Sequence, residues 1–227
     1  MSHPFSIIAR RTVLTGSMAC GALALFAKGA FADALEKTPA LTEGPFYPDK
    51  LPLDTDNDLI IVNDSLTPAV GDVTHLAGKI MDSTGAPIRN AVIEIWQVDN
   101  NGAYLHSQTN NADKRDKNFQ GYGRFLTGSD GAYYFRTIKP VAYPGRTPHI
   151  HVKVKKGREE LITTQIFING APGNANDGVL RGVRDPLARE LVIVDFTPLK
   201  DSKAGELAAK FNIVVGVTPV DDHGAKK

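Results

Sequence analysis

The stretch Pro148-His149-Ile150-His151-Val152-Lys153-Val154 has the residue types and spacing that could do chemistry. In a strand, side chains alternate, so His149 and His151 share one face while Ile150, Val152 and Val154 share the other. With the apolar face packed into a core, two imidazoles converge on the far side, a common way to offer two nitrogen donors to one metal ion. Two unrelated histidines on a half-exposed strand are the plain alternative, and the spacing alone does not choose. No Asp or Glu stands nearby at the spacing of a two-His-one-carboxylate iron site. Tyrosines stand there instead. Tyr143 lies six residues before His149, in Ala142-Tyr143-Pro144-Gly145, and Tyr104 follows Asn100-Asn101-Gly102. A phenolate is a hard anionic donor, and with an unperturbed pKa of about 10 the phenol needs a strongly Lewis-acidic cation to lose its proton. Taken singly, each tyrosine reads as core or rim.

The elements that must position these groups read as short strands. Apolar runs fall at 76–81, 91–97, 124–127, 133–138, 149–154, 161–168, 191–196 and 211–217. Turn chemistry separates several of them: Asp82-Ser83-Thr84-Gly85, Asn100-Asn101-Gly102, Ser129-Asp130-Gly131 and Asn169-Gly170. Many short strands at this spacing predict an all-β fold, an antiparallel β-sandwich. One short helix is expected over 202–210 and a helical turn near 185–189. Residues 33–72, with five prolines and little periodicity, read as an extended N-terminal arm, and 73–227 as the sandwich domain.

Composition narrows the function classes. The chain has 227 residues, 42% of them apolar, and a formal net charge of only +1, so it lacks the basic stripe of a nucleic-acid partner. Residues 1–32 are of another kind: Arg10 and Arg11, an apolar run from Thr12 to Phe26, then Ala30-Phe31-Ala32. A basic start, a short apolar stretch and a small-x-small site read as an export signal, and the paired arginines fit the twin-arginine type, with an ordinary secretory signal or an uncleaved anchor as alternatives. The run is shorter than the roughly 20 residues that span a bilayer, so no stable membrane anchor is expected. The expected location is periplasmic or secreted. Cleavage after Ala32 removes Cys20, the sole cysteine, so the mature chain has no disulfide or thiolate chemistry.

Several blocks resemble the intradiol ring-cleavage dioxygenases, the family of protocatechuate 3,4-, catechol 1,2- and hydroxyquinol dioxygenases. They are Leu41-Thr42-Glu43-Gly44-Pro45-Phe46-Tyr47, Ala91-Val92-Ile93-Glu94-Ile95-Trp96-Gln97 with Gly102-Ala103-Tyr104, Gly121-Tyr122-Gly123-Arg124, and Phe135-Arg136-Thr137-Ile138-Lys139-Pro140 leading to Tyr143-Pro144 and His149-Ile150-His151. Together they run in order over roughly 41–168. The resemblance implies one non-haem Fe(III) per chain, held by Tyr104, Tyr143, His149 and His151. Tyr143 would be the axial tyrosinate that leaves the iron when substrate binds. It also implies a catechol-type substrate and O2, with cleavage between the two hydroxylated carbons to a muconate-type diacid. Arg146 matches an arginine that stabilises charge on the substrate, and Gln165 a glutamine lining the same pocket. Gly44, Pro45 and Phe46 match a substrate-lining segment, which would bring the arm over the iron.

Each of these has a plainer reading. Arg146 as a solvated turn residue, Gln165 as a strand residue satisfied by backbone, and Gly44-Pro45 as a turn are the alternatives. Arg136 reads as structural beneath the iron loop, Trp96 as sandwich core, and His106 as a neighbour of the site or surface. His75 and His223 carry no signal. Gly78-Lys79-Ile80-Met81-Asp82 with Gly85-Ala86-Pro87-Ile88 also resembles transthyretin-like binding modules, and a Zn or Cu enzyme on His149 and His151 is a further rival. A homo-oligomer is compatible with this reading.

Overall fold

The structure is a computed structural model and describes residues 34–63 and 65–216. The export signal read over residues 1–32 lies outside the described residues, as does His223.

Among the described residues, two five-stranded sheets form the fold. The first has β1 (Val73–Asp82) at its centre, paired with β4 (Ala132–Ile138), β9 (Leu207–Lys210) and β10 (Ile213–Val215), and β8 (Phe196–Pro198) lies outside β9. The second runs β3 (Tyr122–Leu126), β2 (Val92–Trp96), β5 (His149–Lys156), β6 (Glu159–Ile168) and β7 (Ile193–Val194). The expected all-β sandwich is there, and its sheets are mixed. The β1–β9, β1–β10 and β6–β7 pairs are parallel, the rest antiparallel.

Alternation builds the core. Leu76, Ile80 and Phe135 from one sheet meet Ile93, Ile95, Ile150, Val152, Val154 and Ile166 from the other, all without solvent exposure. Each such side chain contributes about 1.5–3 kcal/mol by leaving water. The same alternation sends His149, His151 and Lys153 of β5 to the outer face.

Two α-helices are present among the described residues, α1 (Gly178–Gly182) and α2 (Pro186–Glu190). The second lies where a helical turn was expected. The helix expected over 202–210 does not form: the chain turns at 199–205 and enters β9. Its alanines pair along β1, Ala208 with His75 and Ala209 with Leu76, so sheet pairing overrides their helical preference. The run at 191–196 likewise divides at Asp195 between β7 and β8, one strand in each sheet.

Among its described residues, the segment 34–72 contains no regular helix or strand, and it lies along both sheets through Thr38 N to Val214 O (3.1 Å), Leu41 N to Thr163 O (2.8 Å) and Leu59 N to Arg136 O (2.8 Å).

Candidate metal and substrate site

Three separate local structures deliver the donors. The turn before Tyr104 is pinned by buried Asp99, whose Oδ1 accepts from Asn101 N (2.8 Å) and Ala103 N (2.9 Å). Gly102 takes φ 76°, a left-handed value that a side chain resists. Tyr143 opens a tight turn through Pro144 and Gly145 (φ 83°) that closes with Arg146 N donating to Tyr143 O at 2.9 Å. That turn sets Tyr143 and Arg146 side by side. β5 then supplies His149 and His151, 1% and 2% exposed.

The three inner donors meet at one point. Tyr104 Oη lies 3.2 Å from His149 Nε2 and 3.1 Å from His151 Nε2, and the two Nε2 atoms are 3.2 Å apart. Tyr143 is half-buried beside them, its ring centroid 5.5 Å from those of Tyr104 and of His149. His149 Nδ1 lies 2.7 Å from the Thr147 carbonyl, which can only accept, so the proton sits on Nδ1 and Nε2 presents a lone pair to the cluster. Trp96 stacks flat on His151, centroids 4.8 Å apart at 8°. Phe46 stacks on Tyr104 at 5.0 Å, and His106 touches Phe46 edge-on at 5.7 Å.

Electrostatics hold these groups neutral. Burial, then the Arg146 charge, pushes His149 down to about 4. Burial, His149 and Arg146 hold His151 well below its usual range. Burial pushes the Tyr104 phenol far up, and Tyr143 beside it adds to this. Three donors 3.1–3.2 Å apart with a lone pair aimed inward are spaced like ligands on bonds of about 2 Å. Deprotonating so buried a phenol calls for a strong Lewis acid, and Fe(III) fits the hard oxygen and imidazole set. Among the described residues no group of three or more His, Cys, Asp or Glu is arranged to hold a metal ion, so a metal held here would need the tyrosines as donors.

Arg146 is held at two edges. Its Nε donates to Asp177 Oδ2 at 2.8 Å and its Nη2 to Gln165 Oε1 at 2.6 Å. Gln165 is unexposed, and its Nε2 donates to Thr42 O at 2.8 Å, so both ends of the amide serve to hold Arg146 and the arm. Asp177 also accepts from Thr147 N, Val179 N and Leu180 N, capping α1. Gly44 (φ 72°) crosses the site so closely that a Cβ there would lie 3.4 Å from His151 Cε1. Pro45 is exposed at the arm's surface. A cavity of about 460 Å³ opens beside Tyr143 and Arg146, walled by Pro148, Pro172 and Asn176. A larger one, about 840 Å³, lies around His75, Ala77, Ile193 and Ala208, and no site residue lines it.

Two structural readings need correction. Trp96 is not sandwich core. It shares the outer face of β2 with Glu94, opposite Ile93 and Ile95, and belongs to a separate cluster with Val98, Tyr104 and Tyr122 under the site. Arg136 sits on the other sheet, where Nη1 pairs with Asp58 at 2.9 Å. Asp177 was not anticipated, although Asp before a short apolar run is an N-cap signature.

A family model described as Dioxygenase matches residues 42–216. The beta chain of protocatechuate 3,4-dioxygenase from Burkholderia cepacia is 32% identical over 154 residues, 64% of this chain and 65% of that one. An intradiol ring-cleavage dioxygenase of Aspergillus niger is 26% identical, matching 82% of this chain and 60% of its own length. This chain thus spans about half to two thirds of the curated relatives it matches. Among solved structures, the dioxygenase domain of a dioxygenase–carbohydrate-binding fusion from a cellulolytic Streptomyces superposes with TM-score 0.61 at 28% identity, over 81% of this chain and all of that domain.

Proposed function

This chain belongs to the intradiol ring-cleavage dioxygenases, and from that premise we propose that it uses Fe(III) on Tyr104, Tyr143, His149 and His151 to open a catechol-type ring between its hydroxylated carbons. The observation that carries the reading is the buried contact of Tyr104 Oη with both Nε2 atoms at 3.1–3.2 Å, beside Tyr143 and Arg146. A transthyretin-like binding module has no use for such a cluster.

The bound ferric ion would supply Lewis acidity, lowering the phenols' pKa and drawing a catecholate into a state that reacts with O2. The chain's own groups do the rest. Thr147 O fixes the His149 tautomer and ring plane, and Trp96 fixes the plane of His151. Tyr143, half-buried beside Tyr104 and His149, would as a phenolate take up a substrate hydroxyl proton. Arg146, fixed by Asp177 and Gln165, presents its positive charge to negative charge developing on the substrate; the preorganised guanidinium needs no rearrangement. Phe46 covers Tyr104 and keeps water from it. Overall, one catechol and one O2 give one diacid, with both oxygen atoms retained.

Turnover of catechol under isotopically labelled O2 tests this. Both labelled atoms in a muconate-type diacid support the proposal. An aldehyde-bearing product from cleavage beside the diol, or no O2 uptake by iron-loaded protein, refutes it.

A further inference from the structure

Lys153 is a cation that the proposed chemistry leaves unused, on the same face of β5 as His149 and His151. Its side chain is only 8% exposed, and burying an ammonium is costly unless it is paired. It is paired twice: with Glu43 of the arm, and with Glu160 of the β-sheet at 3.3 Å. Its Nζ also sits 4.7 Å above the ring of Tyr47. Both carboxylates are half-exposed, 42% and 49%, so the lysine is the buried member over which they close.

The arm's anchoring changes character at Thr42. Up to that point it is tied along β6 through backbone atoms: Leu41 N to Thr163 O, Pro39 O from Thr164 Oγ1, and Thr42 O from Gln165 Nε2, each at 2.8 Å. Beyond it, the ties run through arm side chains: Glu43 to Lys153, Tyr47 Oη to Glu94 at 3.0 Å, and Asp49 Oδ1 from Ser107 N at 3.2 Å. Between these ties Gly44 crosses His151 and Phe46 lies on Tyr104.

We propose that Lys153 is a positioning residue that seats residues 43–47 over the histidine–tyrosine cluster, so that Gly44 and Phe46 form a wall of the substrate site. This rests on the reading of that cluster as a substrate site. Lys153 touches no reacting atom and acts through Glu43 and the ring of Tyr47.

The test compares Glu43→Ala, Lys153→Met and Glu160→Ala in the iron-loaded full chain. Two readouts are used: tryptic cleavage after the exposed Lys50, and the split between KM and kcat for catechol. Loosening the arm in Glu43→Ala and Lys153→Met is expected to speed cleavage and raise KM about tenfold, with a smaller change in kcat. Glu160→Ala removes a partner of the same lysine that is not on the arm, and changes neither readout. Glu43 is half-exposed, so its removal does not threaten folding. Glu43→Ala behaving like Glu160→Ala in either readout overturns the proposal. If the unaltered protein turns over no catechol, the dioxygenase reading fails, and the cleavage comparison still decides whether Lys153 holds the arm.

Discussion

Replacing Asp177 by Asn keeps its shape and removes its charge. The carboxylate is fully buried, with Oδ1 accepting from Val179 N and Leu180 N at 3.0 Å and Oδ2 from Arg146 Nε at 2.8 Å and Thr147 N at 3.1 Å. An Asn whose oxygen keeps capping α1 turns its NH2 group toward two other donors, Arg146 Nε and Thr147 N. The cap, worth about 1 kcal/mol, survives, while the charged hydrogen bond, worth about 1.5–3 kcal/mol, is lost. Asp177→Asn is therefore expected to lower urea-unfolding stability by about 2 kcal/mol. It should also lower kcat/KM about a hundredfold, because Arg146 loses its fixed orientation. Asp177→Ala loses the cap as well, for a total near 3 kcal/mol. Burial opposes the charge on Asp177, but the bonds from Arg146, Leu180 and Thr147 outweigh it and set its pKa below the ordinary 3.8. A depressed folded pKa gives stability that is present above about pH 4 and lost as pH falls through the folded value. The unaltered protein should lose this contribution in acid, and Asp177→Asn should not. Unfolding curves across pH, with O2-electrode kinetics, measure both effects. An Asp177→Asn protein with unchanged kcat/KM would refute the claim that Asp177 orients Arg146.

Tyr104→Phe removes one hydroxyl from a packed ring, so the fold should hold within about 1 kcal/mol while iron retention falls sharply, measured by metal analysis after dialysis. Phe46→Ala loses the stack on Tyr104, worth about 1 kcal/mol, and should raise KM for catechol several-fold, checked by steady-state kinetics. We also propose export by the twin-arginine route. Changing Arg10 and Arg11 together to Lys should then leave the protein in the cytoplasm, and unaffected export in a fractionation blot would count against that route.

The His-x-His pair was legible because strand alternation alone sends His149 and His151 to one face once Ile150, Val152 and Val154 go to the core. The same rule places Trp96 beside Glu94 on the outer face, and reading it as core ignored the inward-facing Ile93 and Ile95. Residues 202–210 misled because Ala, Glu, Leu and Lys favour helix locally, whereas pairing with β1 is a long-range term that no local window contains. Asp177 and Lys153 act on partners about 30 and 110 positions away, Arg146 and Glu43, so sequence spacing carried no trace of either contact. The meeting of Tyr104 with the histidines is equally long-range, and it came from resemblance to a family, not from spacing.

The central claim is a ferric site with tyrosinate ligands, and a visible absorption spectrum of the iron-loaded protein tests it most directly, taken before and after adding catechol without oxygen. The account predicts a reddish colour from tyrosinate-to-iron charge transfer that shifts when catechol binds. A protein that stays colourless after reconstitution with Fe(III) would contradict it.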